Sequence, residues 1–520
     1  MTITADLKTA GRALFAPSTF GVKMRSGAPL ALPHNAGTVA STMDSLCVMR
    51  PLSRYALGNA FQARVEQIAQ RIMDHLPPVD PFAMFKSLNY WRDWAIKFGR
   101  GDEGISDALS CLVRDYGKIH SNRDLWEAMS KAFGKKDGEG NLLRDSKGDL
   151  IFQQEVYDRL HWALKIGLSN FVLFKIAVWQ IAQRFVVGTT IENAVPRVVA
   201  LEKKGVGVTL DFPGEATKTD ELVAKHFNQY YSALSSTFMF RVKDKNMSCK
   251  LTGLTTDLMD AQKREVLMEN FRQMLRAMKG AGLSRLTIDM EEFMYKDLTL
   301  SFFKEVLGEK EFSEQIRLEI VIQSYLKDAL ADVEKMDEWA AKRKLATGAK
   351  TDIRLVKGAY YKHERAEALR LGYPDPICGD GSDPRADKAE TDRNFERVAR
   401  FLLEHHDRYN VAFGTHNLRS ICAVIAMAEE LNIPMQDLEF QMLLGMSSEP
   451  IAYALRAMGC KVTFYALDEQ VDATLGYLAR RMIENKDMNS CFNDFDAYLE
   501  GKIPLWQLVL PPGVKVDAHV

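Results

Sequence analysis

From about residue 200 onward, short β-prone runs alternate with longer amphipathic stretches. In order the runs are Val206–Phe212, Met247–Leu251, Leu286–Met290, Leu318–Tyr325, Ile353–Tyr360, Val411–Asn417, Leu438–Leu444 and Lys461–Leu467. Helix-like segments such as Thr255–Lys279 and Asp392–His405 lie between them. Strands that alternate with helices pair in parallel through right-handed crossovers. Eight such units over roughly 290 residues predict an α/β fold, a closed (βα)8 barrel of the TIM type. An open doubly wound sheet is the competing topology. Upstream, Ala60, Phe61, Val65, Ile68 and Ile72, and then Trp162, Leu164, Ile166, Phe171, Phe174 and Ile176, recur at helical spacing. The pattern divides the chain into an N-terminal segment (1–54), a helical region (55–200), the barrel (201–490) and a C-terminal tail (491–520).

Composition narrows the function classes. The net charge of −1 supplies no global field to gather nucleic acid or an anionic membrane, so either would need a local patch. The seven cysteines contain no CxxC pair, which argues against a zinc site or a disulfide scaffold and for a reducing compartment. No metal site is expected. No apolar stretch approaches the roughly 18 residues of a spanning helix. Residues 1–43 carry a single acid, Asp6, with Lys8, Arg12, Lys23 and Arg25, a composition shared by mitochondrial transit peptides and by unstructured leaders. The Gly-rich stretch from Gly134 to Asp149 lacks the sixth-position glycine and closing glutamate of a calcium loop, and reads as an exposed hairpin or loop. No GxGxxG follows a predicted strand, which counts against a Rossmann-type cofactor domain.

In a barrel of this kind the chemistry gathers at the C-terminal strand ends. There the eight runs carry, in order, Asp211, Lys250, Asp289, Gln323, the string Arg354-Leu355-Val356-Lys357-Gly358-Ala359-Tyr360, His416, Gln441 and Tyr465. Polar residues at every strand end suit a site that grips a polar ligand. Two readings stand for several of them. Lys250 and Asp289 form either a buried supporting ion pair or a charged pair that orients a substrate. Arg480 and Glu484, four apart on a predicted helix with Arg481, form either a surface pair or part of a guanidinium clamp for a carboxylate. His416 by itself reads as a structural hydrogen-bonding histidine.

The fifth-run string resembles the fifth-strand motif of proline dehydrogenases, including the corresponding domain of the bifunctional proline utilization A enzymes. Further matches follow in the same order: Asp211-x-x-Gly214-Glu215-Ala216, Ile288-Asp289-x-Glu291-Glu292, Ile322-Gln323-x-Tyr325 and Lys388-x-x-Thr391-Asp392. Next come Thr415-His416-Asn417, Phe440-Gln441-x-x-x-Gly445-Met446 and Tyr477-Leu478-x-Arg480-Arg481-x-x-Glu484-Asn485. The resemblance spans residues 200–490 and implies a non-covalent FAD across the barrel mouth. Gln323, Arg354, Val356, Lys357, Gly358, Ala359, Tyr361, Thr391, His416 and Glu484 would line the cofactor. L-proline would sit with its carboxylate between Arg480 and Arg481, beside Lys250, under Leu355, Tyr465 and Tyr477. The catalytic group would be Lys250, Asp289, Tyr465, Arg480 and Arg481. On this resemblance the arginine pair is read as the clamp. The product would be 1-pyrroline-5-carboxylate, and a quinone would take the electrons, with peripheral membrane contact.

There are departures. Tyr361 stands where the bacterial bifunctional domains typically have Trp, and Ala466-Leu467-Asp468-Glu469 replaces a Pro- and Gly-containing loop. The retained Tyr465 favours proline over 4-hydroxyproline, whose ring hydroxyl would press on it; a hydroxyproline dehydrogenase is the alternative. The short stretch after the last motif points to the monofunctional type. Its setting would be the bacterial cytoplasm with membrane contact, or the matrix side of the mitochondrial inner membrane.

Overall fold

The computed structural model describes residues 59–76, 108, 111–112, 115–135, 137, 141–148, 150–158, 168–182, 186–188, 190–211, 217–236, 241–282, 285–314, 316–446, 449–468, 491–499 and 501–514. The expected clamp Arg480–Arg481, with Tyr477 and Glu484, lies outside them, as does Gly214-Glu215-Ala216.

The strands are β1 (Val186–Gly188), β2 (Gly207–Asp211), β3 (Lys245–Cys249), β4 (Arg285–Ile288) and β5 (Leu318–Gln323). They continue as β6 (Thr351–Val356), β7 (Tyr409–Gly414), β8 (Glu439–Leu443) and β9 (Lys461–Asp468). Every pairing is parallel, and β9 pairs with both β8 and β2, so β2–β9 close into an eight-stranded barrel. The closed topology therefore prevails over the open sheet.

Helices follow the strands: α1 (Asn59–Asp74) and α2 (Asn122–Ala132) before the barrel, then α3 (Phe171–Ala182) and α4 (Ile191–Glu202). Around it run α5 (Asp220–Ser235), α6 (Ala261–Ala281), α7 (Lys296–Gly308), α8 (Ala329–Thr347), α9 (Tyr361–Leu371), α10 (Pro384–Glu404), α11 (Leu418–Glu430) and α12 (Glu449–Ala457). Local chemistry fixes their ends. Asp260 caps α6 by accepting from the Lys263 N–H at 2.9 Å, and Gly282 ends it in the left-handed conformation at φ 64°.

Parallel strands in a helix-wrapped barrel are buried on both faces. Here the outward positions are apolar: Leu286, Ile288, Ile320, Ile353, Leu355, Phe413 and Phe440 join Phe271, Phe303 and Leu402 of the helices in one core. α11 is buried along Leu418–Ala428, because α1 lies over it. Arg419 of α11 binds Glu396 at 3.0 Å, Gln62 of α1, and the Val509 carbonyl of the C-terminal segment at 3.2 Å. Arg64 and Arg71 of α1 reach Glu429 at 2.9 and 2.6 Å.

A second apolar cluster joins Leu112, Leu125, Met129, Phe133 and Phe174 to Met446, just beyond β8. Within this region the Gly-rich stretch forms antiparallel bridges, Gly134 to Phe152 and Arg144 to Leu150, as a hairpin requires. The helical pattern expected through residue 200 is interrupted by β1. Past Tyr465, where the loop sequence departs from the family pattern, β9 stays extended to Asp468, and Val186 of β1 pairs with Leu467. A side chain at Gly188 would put its Cβ 2.4 Å from the Ala194 nitrogen, so only glycine allows this turn into α4.

Candidate active site

Many inward positions of the same strands are polar, at a spacing of two residues. Asn246, Ser248 and Lys250 run up β3 and just past it; Arg285, Thr287 and Asp289 do so on β4; Glu319 and Gln323 lie on β5, Arg354 on β6, Glu439 and Gln441 on β8. Side chains two apart on a strand share a face, so this spacing projects a file of polar groups into the barrel.

Seven charged groups join into one chain of alternating sign. Asp211 meets Lys250 at 3.3 Å, Lys250 meets Asp289 at 3.8 Å, and Asp289 meets Arg354 at 3.0 Å. Arg354 meets Glu319 at 3.3 Å, Glu319 meets Arg285 at 3.0 Å, and Arg285 meets Glu439 at 2.7 Å. The chain runs from the mouth down into the barrel. Burial in low dielectric makes an unpaired charge very costly, and here every charge has an opposite neighbour.

At the mouth, Tyr465 donates its hydroxyl to Asp289 at 3.0 Å, and Ser248 donates to Asp211 at 3.1 Å. The Arg354 guanidinium lies 5.4 Å from the Tyr465 ring centre. Burial pulls the Lys250 ammonium towards neutrality, but Asp211, Tyr465 and Asp289 outweigh it and hold its pKa well above the ordinary value. Burial, followed by Asp211 and Asp289, holds the Tyr465 phenol well above its usual range. Burial also lifts the Asp289 carboxyl, against the opposing pull of Lys250 and Arg354. Two residues on, the Glu291 carboxyl is raised to about 7 by burial, although it accepts from the Thr252 hydroxyl at 2.5 Å and from its N–H at 3.2 Å.

Beside this cluster the chain leaves β6 as an open shelf. Lys357 and Lys388 both bind Asp392, the latter at 2.7 Å, and together they outweigh burial to keep that carboxylate ionised. Gly358 has φ 123°, and a Cβ there would stand 2.4 Å from the Tyr325 ring, so glycine lets the shelf pass over that ring. Gln323 donates to the Met290 carbonyl at 3.1 Å, while its buried carbonyl oxygen accepts nothing among the described residues. His416 accepts from the Leu443 N–H at 3.0 Å, tying β7 to β8 at the rim. Thr391 donates to the Asp387 carbonyl at 3.1 Å, and Tyr361 opens α9 packed against Tyr325, Leu326 and Ile377.

The structure thus brings together Lys250, Asp289, Arg354 and Tyr465. It turns Leu355 away: Arg354 points into the barrel, so its neighbour points out, and Leu355 is fully buried in the outer apolar core. The expectation that Leu355 covers the substrate is corrected on this ground. Sequence reasoning missed Ser248, Arg285, Thr287, Glu319 and Glu439. Their signal was present in the polar period of two within strands that should otherwise read as continuous apolar runs.

A closed parallel barrel with charged and phenolic groups converging at the C-terminal strand ends is the arrangement in which barrel enzymes carry their active sites. The model of the proline dehydrogenase family matches residues 194–494. Proline dehydrogenase 1 of Bacillus subtilis subsp. natto is 30% identical over 268 residues, covering 52% of this chain and 76% of the relative. Proline dehydrogenase of Deinococcus radiodurans is 28% identical over 288 residues, covering 55% and 81%. Among solved structures, proline utilization A from Bdellovibrio bacteriovorus, inactivated by N-propargylglycine, superposes with a TM-score of 0.68 at 26% identity, covering 87% of this chain and 44% of that one. A Bradyrhizobium japonicum proline utilization A variant, at 22% identity and a TM-score of 0.63, shares the fold. The chain spans about half the length of these two proteins. It belongs to the proline dehydrogenase family, a family of oxidoreductases.

Proposed function

We propose that the chain oxidises L-proline to 1-pyrroline-5-carboxylate with a non-covalent FAD and passes the electrons to a quinone. The observation that carries the reading is the mouth cluster of Lys250, Asp289, Arg354 and Tyr465 within an established proline dehydrogenase fold.

The residues present fit a flavin. Among the described residues the buried Gln323 carbonyl oxygen has no donor, and the imide N–H of a flavin ring is such a donor. The shelf of Val356, Lys357, Gly358 and Ala359 offers backbone and cationic groups beside it, with Arg354 below and Tyr361, Thr391 and His416 near the rim. Glu484 would complete the set. When bound, FAD supplies the acceptor for the hydride that leaves proline C5. The chain's own task is orientation and electrostatics. Lys250, held as an ammonium, attracts the substrate carboxylate, and Arg480 and Arg481 would clamp it. Lys250 and Tyr465 are both held protonated, so neither takes the proton that the amine must lose.

Tyr465 sits with its hydroxyl fixed on Asp289, leaving it little freedom to recede from a ring hydroxyl, which favours proline over 4-hydroxyproline. Among the described residues no helix is long and apolar enough to cross a membrane, and the reading has quinone meeting the protein by peripheral contact. The cellular setting we propose is a membrane face, bacterial or mitochondrial. The test is an absorbance spectrum before and after anaerobic L-proline. A flavin spectrum that bleaches supports the reading; one that bleaches only with trans-4-hydroxyproline transfers it to that substrate. A protein that stays colourless after reconstitution with FAD overturns it.

A further inference from the structure

Arg354 is held from three directions. Asp289 takes one terminal nitrogen at 3.0 Å, the Thr287 hydroxyl takes the other at 3.1 Å, and Glu319 lies 3.3 Å from Nε. The Thr287 hydroxyl in turn donates to Glu319 at 2.6 Å, so Glu319 and Thr287 form a single seat beneath the guanidinium. Glu319 is 1% exposed and Thr287 fully buried. Arg285 braces the far oxygen of Glu319 at 3.0 Å and is itself gripped by Glu439.

Replacing buried ion pairs by apolar side chains is often neutral or stabilising. A barrel interior filled with aliphatic layers is the ordinary solution, and the outer faces of these strands show that this chain has the residues for it. The charged file therefore calls for a reason beyond stability. Glu319 stands fifth of the seven, with four charges above it and two oppositely signed partners, Arg354 and Arg285, in contact. Among the described residues, Arg354 is the member of the mouth cluster that it contacts. Its influence there runs through Arg354, whose orientation it shares with Thr287 and whose charge it balances.

We propose that Glu319 is a positioning residue: it seats Arg354 from below and thereby sets the geometry and protonation of Asp289 at the mouth. This rests on the proposed reaction for its kinetic consequence but not for its electrostatic one. Asp289 is faced by Lys250 just past β3, by Asp211 of β2, by Arg354 of β6, by Tyr465 of β9 and by Glu291 from its own loop. Removing the negative charge of Glu319 leaves the Arg354 cation compensated by Asp289 alone, which favours the ionised form of Asp289.

The experiment compares the full chain with Glu319→Gln, an isosteric change that keeps an acceptor for Thr287. Difference infrared spectroscopy follows the carboxyl band of Asp289, assigned by its loss in Asp289→Asn, through a pH titration that needs no turnover. The expected result is a titration displaced to lower pH by about one unit. With proline, kcat is expected to fall about tenfold while KM stays within about twofold, since Arg354 orients rather than clamps the substrate. An Asp289 titration that is unchanged or displaced upward in folded Glu319→Gln overturns the inference. If Glu319→Gln fails to fold, Thr287→Val removes the shared hydroxyl and is expected to lower kcat in the same sense; unaltered kcat there overturns it equally. Absence of proline oxidation in the unsubstituted chain would count against the reaction, while the infrared titration still decides the role of Glu319.

Discussion

The two faces of the same eight strands are built from opposite materials. On β4, Leu286 and Ile288 point outward into the helical shell, while Arg285 and Thr287 point inward beside Asp289. Both faces are buried, so exposure to water does not explain the difference. The outer face needs only shape and apolar area, and hydrophobic burial stabilises it in proportion to area. The inner face accepts the desolvation of seven charges and recovers it only through ordered pairing. A fold can thus place stability on one side of a strand and chemistry on the other, one residue apart.

That division can be broken in several ways. The largest effect should come from the outer shell. Phe303 is fully buried on α7 against Trp339. Phe303→Ala should lower unfolding stability by about 3–5 kcal/mol in urea, with turnover per folded molecule changed less than about twofold. If the folded variant loses activity, the two faces are coupled and the comparison fails.

Deep in the barrel, burial would raise the Glu439 carboxyl, but Arg285 wins and its pKa falls from 4.5 to about 2. A carboxyl depressed on folding stabilises the native state above its unfolded pKa and loses that contribution as pH falls through the folded value. Between about pH 4.5 and 2 the chain should therefore lose ~3 kcal/mol through this group. The stability gap between the native chain and Glu439→Gln should close over the same interval in acid-unfolding titrations. A constant gap would show that the pair is not the source.

At the mouth the expectation reverses. Asp289→Asn should lower kcat/KM for proline by about 100-fold. Its melting temperature should move little, because Lys250 keeps Asp211 and Arg354 keeps Glu319. A large stability loss with little effect on turnover would make Asp289 a structural group. The smallest effect belongs to neither face: Leu345, 90% exposed on α8, should tolerate Leu345→Ser within about 0.5 kcal/mol.

Much of this was legible in advance. The eight runs fall on the eight barrel strands, and the strand-end residues Lys250, Asp289, Arg354 and Tyr465 do converge. The Gly-rich hairpin was also visible, since its glycines and polar residues exclude a buried element. Leu355 departs from what the family string implies because a strand sends consecutive side chains to opposite faces. The strand at Val186–Gly188 was hidden in a stretch of apolar residues too short to distinguish from helix.

The alternation of strand and helix, the order of the units and the polar period of two are written in the chain itself, because each depends on near neighbours along it. Which charges pair is settled by the assembled barrel. Arg285 meets Glu319 from 34 positions away and Glu439 from 154, and such partners are chosen by the stagger of strands around a closed barrel. Closure itself, through β9 joining β8 to β2, brings the first and last barrel strands together and sets Tyr465 over Asp289. Local pattern carries no record of that register, which the packing of the whole ring fixes.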